Sequence, residues 1–310
     1  MSTLKLLTGL GDDEIVQALE SIDYIIFGID GVLLTHKTLI PGADKCVDKL
    51  RSLGKKVGFV TNNPTSAVNT LSEKLKHFNA TEEEITVPNA AVIEHLKKIG
   101  FDKDIYVVGG KKLKNILKNA GYNVIDYYDI YQYPLQENLE AVKHLTGKAL
   151  DVCKNVGAVI LCNDVNFCLP AAQVAITILR NDKDVILLSG MSHDTSPLAG
   201  SFRIIGPKFY IEGIERWTNR KCIDAIRPGL DLKETLMSKM EIVDPERVLF
   251  VGDSIPIDIA FGAHCGFKTL LVLSGITEKH EVDDWKYSEE FKPDYVIENL
   301  GDLFEKIKHI

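Results

Sequence analysis

Three short stretches carry polar groups able to do chemistry, each directly after an apolar run. They are Asp30 in "IDGV" (29–32), Thr61-Asn62-Asn63 in "VTNN" (60–63), and Asp253 with Asp258 in "VGDSIPID" (251–258). Open parallel sheets bind ligands beyond the carboxyl ends of their strands, so a strand that hands a carboxylate or hydroxyl to a loop places it where a ligand sits. Taken singly, each stretch has an ordinary explanation. Asp30-Gly31 fits a turn, Thr61 and the asparagines fit a helix cap, and Asp258 fits a first-turn acid on the next helix. Taken together and in this order they form a constellation. In "YIIFGIDGVLL" (24–34), Gly28 stands two residues before Asp30, where a chemistry using paired carboxylates needs its other acid.

The elements that must position these groups are legible from periodicity. Asp12-Asp13-Glu14 before "IVQALESI" reads as a helix start, and 24–28 as a buried strand. "GADKCVDKLRSLGKK" has helical spacing, with Val47, Leu50 and Leu53 on one face and Gly54 ending it; "KVGFVTNN" is a strand; 65–78 is a helix turning Val68, Leu71 and Leu75 inward. Strand and helix alternating through short connections predict a parallel sheet covered on both faces. A second α/β unit begins near Val87-Pro88, with strands at "DIYVVGG", "GAVILCND" and "DVILLSG" and a loop rich in Ser, Gly and Pro over 189–201. The last third repeats the first pattern, with strands at "KCIDAIRP", "RVLFVGD", "KTLLVLSG" and "DYVIENL" and a helix at "PIDIAFGAHCG". The architecture expected is α/β, a doubly wound parallel-sheet, Rossmann-like core over 1–87 and 207–310, interrupted by an α/β module over 88–206.

Composition narrows the function. The chain has 310 residues, enough for two domains, and a formal charge of −8, which argues against nucleic acid and membrane surfaces as partners. The basic run Lys103–Lys118 reads as a solvated helix face. No apolar run approaches the roughly 20 residues that span a bilayer, and the N-terminal stretch does not look like a secretory signal. Six scattered cysteines without a C-x-x-C pair leave zinc and dithiol chemistry unsupported and fit free thiols in the cytoplasm.

With these residues in hand, the chain resembles the haloacid dehalogenase-like (HAD) superfamily, and within it the p-nitrophenylphosphatase group that includes phosphoglycolate and pyridoxal phosphate phosphatases. "IPGADKCVDKLRSLGKKVGFVTNNPTS" and "DPERVLFVGDSIPIDIAFGAHCGFKTLLVLSGIT" carry the likeness, and "GAVILCNDVNF" with "SGMSHDTSPLAGSF" resembles the group's large cap. The resemblance implies phosphoryl transfer, which is chiefly positioning and charge stabilisation. A carboxylate nucleophile there divides hydrolysis into two easier displacements. Asp30 matches the acid/base, Thr61 and Asn62 the phosphoryl-binding loop, Asp253 a Mg²⁺-holding acid and Asp258 its supporting carboxylate, with the Asp30 backbone carbonyl also on the metal. Arg227 in "IRPG" stands where the family has Lys; it keeps the charge but is not interchangeable with it. In the cap, Asp164, Phe167 and His193 match substrate-selecting loops.

Gly28 stands where the resemblance places the nucleophile. Asp23 lies roughly 16 Å back along an extended strand, at the wrong end of the sheet. Using Asp30 as nucleophile would leave no acid/base. Loss of one member of a cooperating catalytic unit costs on the order of 10⁴–10⁶ in rate, and loss of a carboxylate weakens the site for Mg²⁺. The expectation is an impaired phosphatase homologue, a pseudophosphatase. It would bind a small phosphorylated metabolite or pair with a protein, as a homodimer or with a related phosphatase. The alternative is a Mg²⁺-dependent phosphatase of low or unconventional activity on small phosphate monoesters.

Overall fold

A computed structural model of the chain describes residues 5–6, 12–35, 38–61, 68–131, 134–191, 194–199, 202–224 and 231–310. Two units emerge, one formed by Met1–Pro88 with Arg227–Ile310 and the other by Asn89–Ile226.

In the first unit the strands are β1 (Lys5–Leu6), β2 (Tyr24–Gly28), β3 (Leu34–Thr35), β4 (Thr38–Leu39), β5 (Lys56–Val60) and β6 (Ile85–Thr86). The second unit holds β7 (Asp104–Val108), β8 (Val124–Ile125), β9 (Val156–Leu161), β10 (Ile186–Ser189), β11 (Thr195–Ala199), β12 (Phe202–Ile205) and β13 (Ile223–Asp224). The chain then returns to the first unit for β14 (Val248–Gly252), β15 (Lys268–Val272) and β16 (Tyr295–Ile297).

The first unit is built on a seven-stranded sheet in the order β1-β16-β15-β14-β2-β5-β6. Every pairing in it is parallel. A strand buried on both faces must be apolar throughout rather than alternating. Ile25, Ile26 and Phe27 of β2 and Phe250 and Val251 of β14 accordingly have no measurable exposure. The helix Ala43–Ser52 buries Ala43, Cys46, Val47 and Leu50, one stripe of the helical period. β3 and β4 form a small antiparallel hairpin just after β2.

The second unit has a five-stranded parallel sheet in the order β13-β10-β9-β7-β8. Alternate residues of its strands feed two separate cores. Tyr106, Val108, Val159 and Leu161 enter one, while Ile105, Val107, Ala158 and Ile160 enter the other. Side chains alternate across a strand, so this sheet is covered on both faces.

Three expectations need correction. The boundary placed at 206/207 moves, because the helix Lys208–Thr218 packs on the helix Leu169–Asn181 and β13 pairs with β10. The strand read in "KCIDAIRP" thus belongs to the second unit, and residues up to 226 go with it. The stretch read as a loop over 189–201 contains β11, which forms an antiparallel hairpin with β12; Thr, Ser and Pro there supply edge-compatible residues that turn chemistry alone cannot distinguish from loop. The basic run is exposed as expected at Lys111, Lys112 and Lys118, but Lys114 is buried, held 2.6 Å from the Asp126 carboxylate. No helix among the described residues is long and apolar enough to cross a membrane.

Candidate active site

β2 lies between β14 and β5, with Val251 beside Phe27 and Val60 beside Gly28. The three polar clusters therefore leave the sheet on adjacent strands. Directly after β2 the chain doubles back. Leu33 and Leu34 N–H groups both donate to the Ile29 carbonyl (3.0 and 3.1 Å), and Gly31 N–H donates to Leu34 O (2.8 Å). Gly31 adopts φ 79°, which the turn requires and a side chain resists.

Asp253, the first residue after β14, is almost wholly buried. Its Oδ2 accepts from Ile276 N–H at 2.9 Å, and its carbonyl accepts from Thr277 N–H at 2.9 Å. A β-carbon at Gly31 would stand 2.1 Å from that same Oδ2, and one at Gly275 would stand 2.0 Å from it. The carboxylate therefore fills a cleft that only two glycines leave open. Ser274 Oγ donates to Gly31 O at 2.7 Å, tying the loop after β15 to the turn that carries Asp30. Asp258 sits on a wide helical turn, Ile255–Ile259, and its Oδ2 accepts the amides of Asp253 (3.0 Å) and Ser254 (3.3 Å). The continuous helix expected from Pro256 opens here, and the α-helix proper runs Ala260–Cys265.

Asp30 is the exposed acid of the three. Its carboxylate is half-exposed and lies 2.7 Å from Lys74 Nζ, at the end of the helix Val68–Lys74. Sequence reasoning missed Lys74. Helical spacing singled out Val68, Leu71 and Leu75 as inward residues; Leu71 and Leu75 are buried, and Val68 is half-buried. No local pattern marks which lysine of an amphipathic helix reaches a strand end. Thr61 is buried at the end of β5, its N–H 3.4 Å from the Thr86 carbonyl. Asn62, Asn63, Arg227 and His193 lie outside the described residues.

Gly28 is buried, and its backbone is not in the left-handed region that favours glycine. A β-carbon added there would meet Val32 Cγ2 at 3.1 Å and the Val251 carbonyl oxygen at 3.4 Å. To admit it, Val32, which is itself fully buried, would have to give by a few tenths of an ångström. The fold thus demands glycine at 31 and 275, while at 28 the constraint is a tight contact with Val32 rather than backbone conformation.

In the second unit Asp164 closes its own loop, Oδ1 accepting from Asn166 N–H at 2.9 Å and its carbonyl accepting from Phe167 N–H at 3.1 Å. The Phe167 ring stacks on Tyr210 with centroids 4.2 Å apart and meets Phe209 edge-on at 5.7 Å. Tyr210 O–H in turn donates to the Cys162 carbonyl. Phe167, read as a substrate-loop residue, is thus also a packing residue, pinned by the helix Lys208–Thr218 that moved into this unit.

Two family models match the chain, haloacid dehalogenase-like hydrolase over residues 25–123 and HAD-hydrolase-like over 228–303. The first spans Gly28, Asp30 and Thr61, and the second spans Asp253 and Asp258. The chain belongs to the HAD superfamily. Phosphoglycolate phosphatase 2 of Arabidopsis thaliana is 26% identical over 291 residues, covering 92% of this chain and 93% of that protein. Glycerol-3-phosphate phosphatase of Rattus norvegicus is 25% identical over 309 residues, covering 94% and 92%. Among solved structures, a p-nitrophenyl phosphatase from Archaeoglobus fulgidus matches with a TM-score of 0.73 at 24% identity, covering 93% of this chain and 99% of that one. A 4-nitrophenylphosphatase from Thermotoga maritima matches with the same TM-score at 23% identity, covering 93% and 98%. These structures share the parallel-sheet α/β fold.

HAD phosphatases generally use Mg²⁺. The donor set here does not fit such an ion well. Among the described residues no group of three or more His, Cys, Asp or Glu side chains is placed to hold a metal. Position 28 offers no side-chain oxygen, and one oxygen of each buried carboxylate, Asp253 and Asp258, is engaged by backbone amides. A hard cation held mainly by carboxylates needs more than this.

Proposed function

We propose that this HAD homologue is a pseudophosphatase. It binds a small phosphorylated ligand, or pairs with a protein partner, and does not turn over phosphate esters at ordinary enzyme rates. The observation that carries the reading is Gly28: its φ is not in the left-handed region that calls for glycine, yet the residue supplies no nucleophile. Thr61, Asn62 and Arg227 are the proposed phosphate-binding residues, and Asp164, Phe167 and His193 the proposed ligand-selecting residues of the cap. The Mg²⁺ site is proposed to be weakened, with Asp253, Asp258 and the Asp30 carbonyl as its remaining donors. The named activities of the relatives, on phosphoglycolate and glycerol 3-phosphate, indicate the ligand class, a compact phosphate monoester. The proposed setting is the cytoplasm, and the proposed assembly a dimer with a second copy or a related phosphatase.

The competing reading is a slow Mg²⁺-dependent phosphatase, favoured by retention of Asp30, Thr61, Asp253 and Asp258. Part of that retention has another cause, because Asp253 and Asp258 also hold loops together. The deciding experiment is phosphate release from p-nitrophenyl phosphate and 2-phosphoglycolate with Mg²⁺, for the parent chain and for Gly28→Asp, with and without Arg227→Lys. We expect the parent to be nearly inert and Gly28→Asp to gain activity. Parent turnover within roughly 1–10³ s⁻¹ refutes the proposal.

A further inference from the structure

A bound phosphate monoester brings negative charge into a region already rich in carboxylates, and something must balance it. Beyond the ends of β14, β2 and β5 the charged side chains described above are Asp30, Asp253, Asp258 and Lys74. They are not equivalent. Asp253 and Asp258 are buried, and each has an oxygen on backbone amides, whose dipoles offset part of the carboxylate charge. Asp30 and Lys74 face each other at 2.7 Å, with 55% of the Asp30 side chain and 26% of the Lys74 side chain exposed.

An ion pair this open is weak, because water screens it and two side chains must be held in one geometry. Lys74 therefore gives up Asp30 at little cost. A phosphate monoester dianion offers it a more highly charged partner with several oxygens, and such charge-assisted contacts are the stronger kind. Gly28 sets no carboxylate against the incoming dianion. Among the described residues no group of three or more His, Cys, Asp or Glu side chains is placed to hold a divalent ion there.

We infer that Lys74 is a cationic anchor, additional to the proposed Arg227, of a phosphate site on the β2 side of this fold, and that the site takes its ligand without a divalent metal. The inference rests on the phosphorylated-ligand reading above. On binding, Lys74 exchanges the Asp30 carboxylate for a phosphoryl oxygen, so Asp30 acts as a competitor for the cation.

Calorimetric titration of the full chain with inorganic phosphate, at low ionic strength, tests this in EDTA and in excess Mg²⁺. Lys74→Met, Lys74→Arg and Asp30→Asn are run alongside, with circular dichroism to confirm folding. The parent is expected to bind equally well under both conditions. Lys74→Met should weaken binding by about tenfold or more, since a hydrogen-bonded charge is lost, and Lys74→Arg should retain it. Asp30→Asn should tighten binding by freeing Lys74, and this arm stands if Lys74→Met fails to fold. Binding that requires Mg²⁺, an unaltered affinity in folded Lys74→Met, weaker binding by Asp30→Asn, or no binding by the parent overturns the inference. Turnover of p-nitrophenyl phosphate by the parent is measured separately, and ordinary rates there refute the pseudophosphatase reading whatever the titrations show.

Discussion

The Asp253 carboxylate rests so closely against Gly31 that a β-carbon at position 31 would stand 2.1 Å from Oδ2. An acid from the end of β14 thereby shapes the turn that follows β2, and with Ile276 N–H and Ser274 Oγ it joins three loops into one unit. The residue proposed as a metal donor is also a fastening point of the fold.

That contact separates two glycines of one motif. Gly31→Ala meets both the positive φ and the Asp253 oxygen, so it should destabilise the chain by roughly 1–3 kcal/mol or more. Gly28→Ala needs only a small shift of Val32 and gains the backbone restriction that glycine lacks, so its effect should stay within about 1 kcal/mol of either sign. Urea unfolding midpoints measure both. Equal losses would show that glycine at 28 is structural after all.

Asp253→Ala leaves the partly buried Ile276 amide without its carboxylate partner, at a cost of about 1 kcal/mol or more. Asp253→Asn keeps an acceptor oxygen and should lose less. Thermal unfolding of the two variants, both without ligand or metal, checks the order; an Asp253→Ala chain as stable as the parent would remove the fastening role.

All six cysteines are free thiols, and burial divides them. Desolvation pushes Cys153, Cys162 and Cys265 up to about 12, and pushes Cys46 up as well. Thiolate is the reactive form, so these four should be silent toward a disulfide reagent at neutral to mildly alkaline pH. The half-exposed Cys168 and Cys222 should react in the native chain, Cys168 the more slowly because burial raises its thiol too. Mass spectrometry of the labelled native protein reads this directly, and early modification of Cys162 would contradict the packing of the second unit.

Far from the candidate site, the Arg247 guanidinium hydrogen-bonds Asp23 and holds its carboxyl below the usual carboxylate range. A carboxylate whose folded value is depressed adds stability above its unfolded value of about 3.9, and that stability is lost as pH falls through the depressed folded value. Asp23→Asn should therefore lower the melting temperature slightly at pH 7, since the pair is solvent-exposed, and the difference from the parent should shrink toward the acid end. A difference that grows on acidification would reverse the assignment.

The elements themselves were written in local pattern. Unbroken runs such as Ile25-Ile26-Phe27 determined strands buried on two faces, and the spacing of Val47 and Leu50 determined a helix with one inward stripe, because burial acts residue by residue along an element. The order of Asp30, Thr61 and Asp253 after successive apolar runs likewise determined that polar groups gather at the carboxyl ends of the sheet. Only the tertiary structure decided which of them touch. Lys74 reaches Asp30 across 44 residues, Asp253 reaches Ile276 across 23, and β13 joins β10 instead of the first sheet. Contacts of that kind depend on strand order and register, which many sequences of the same periodicity would satisfy differently, so no local signal announces them.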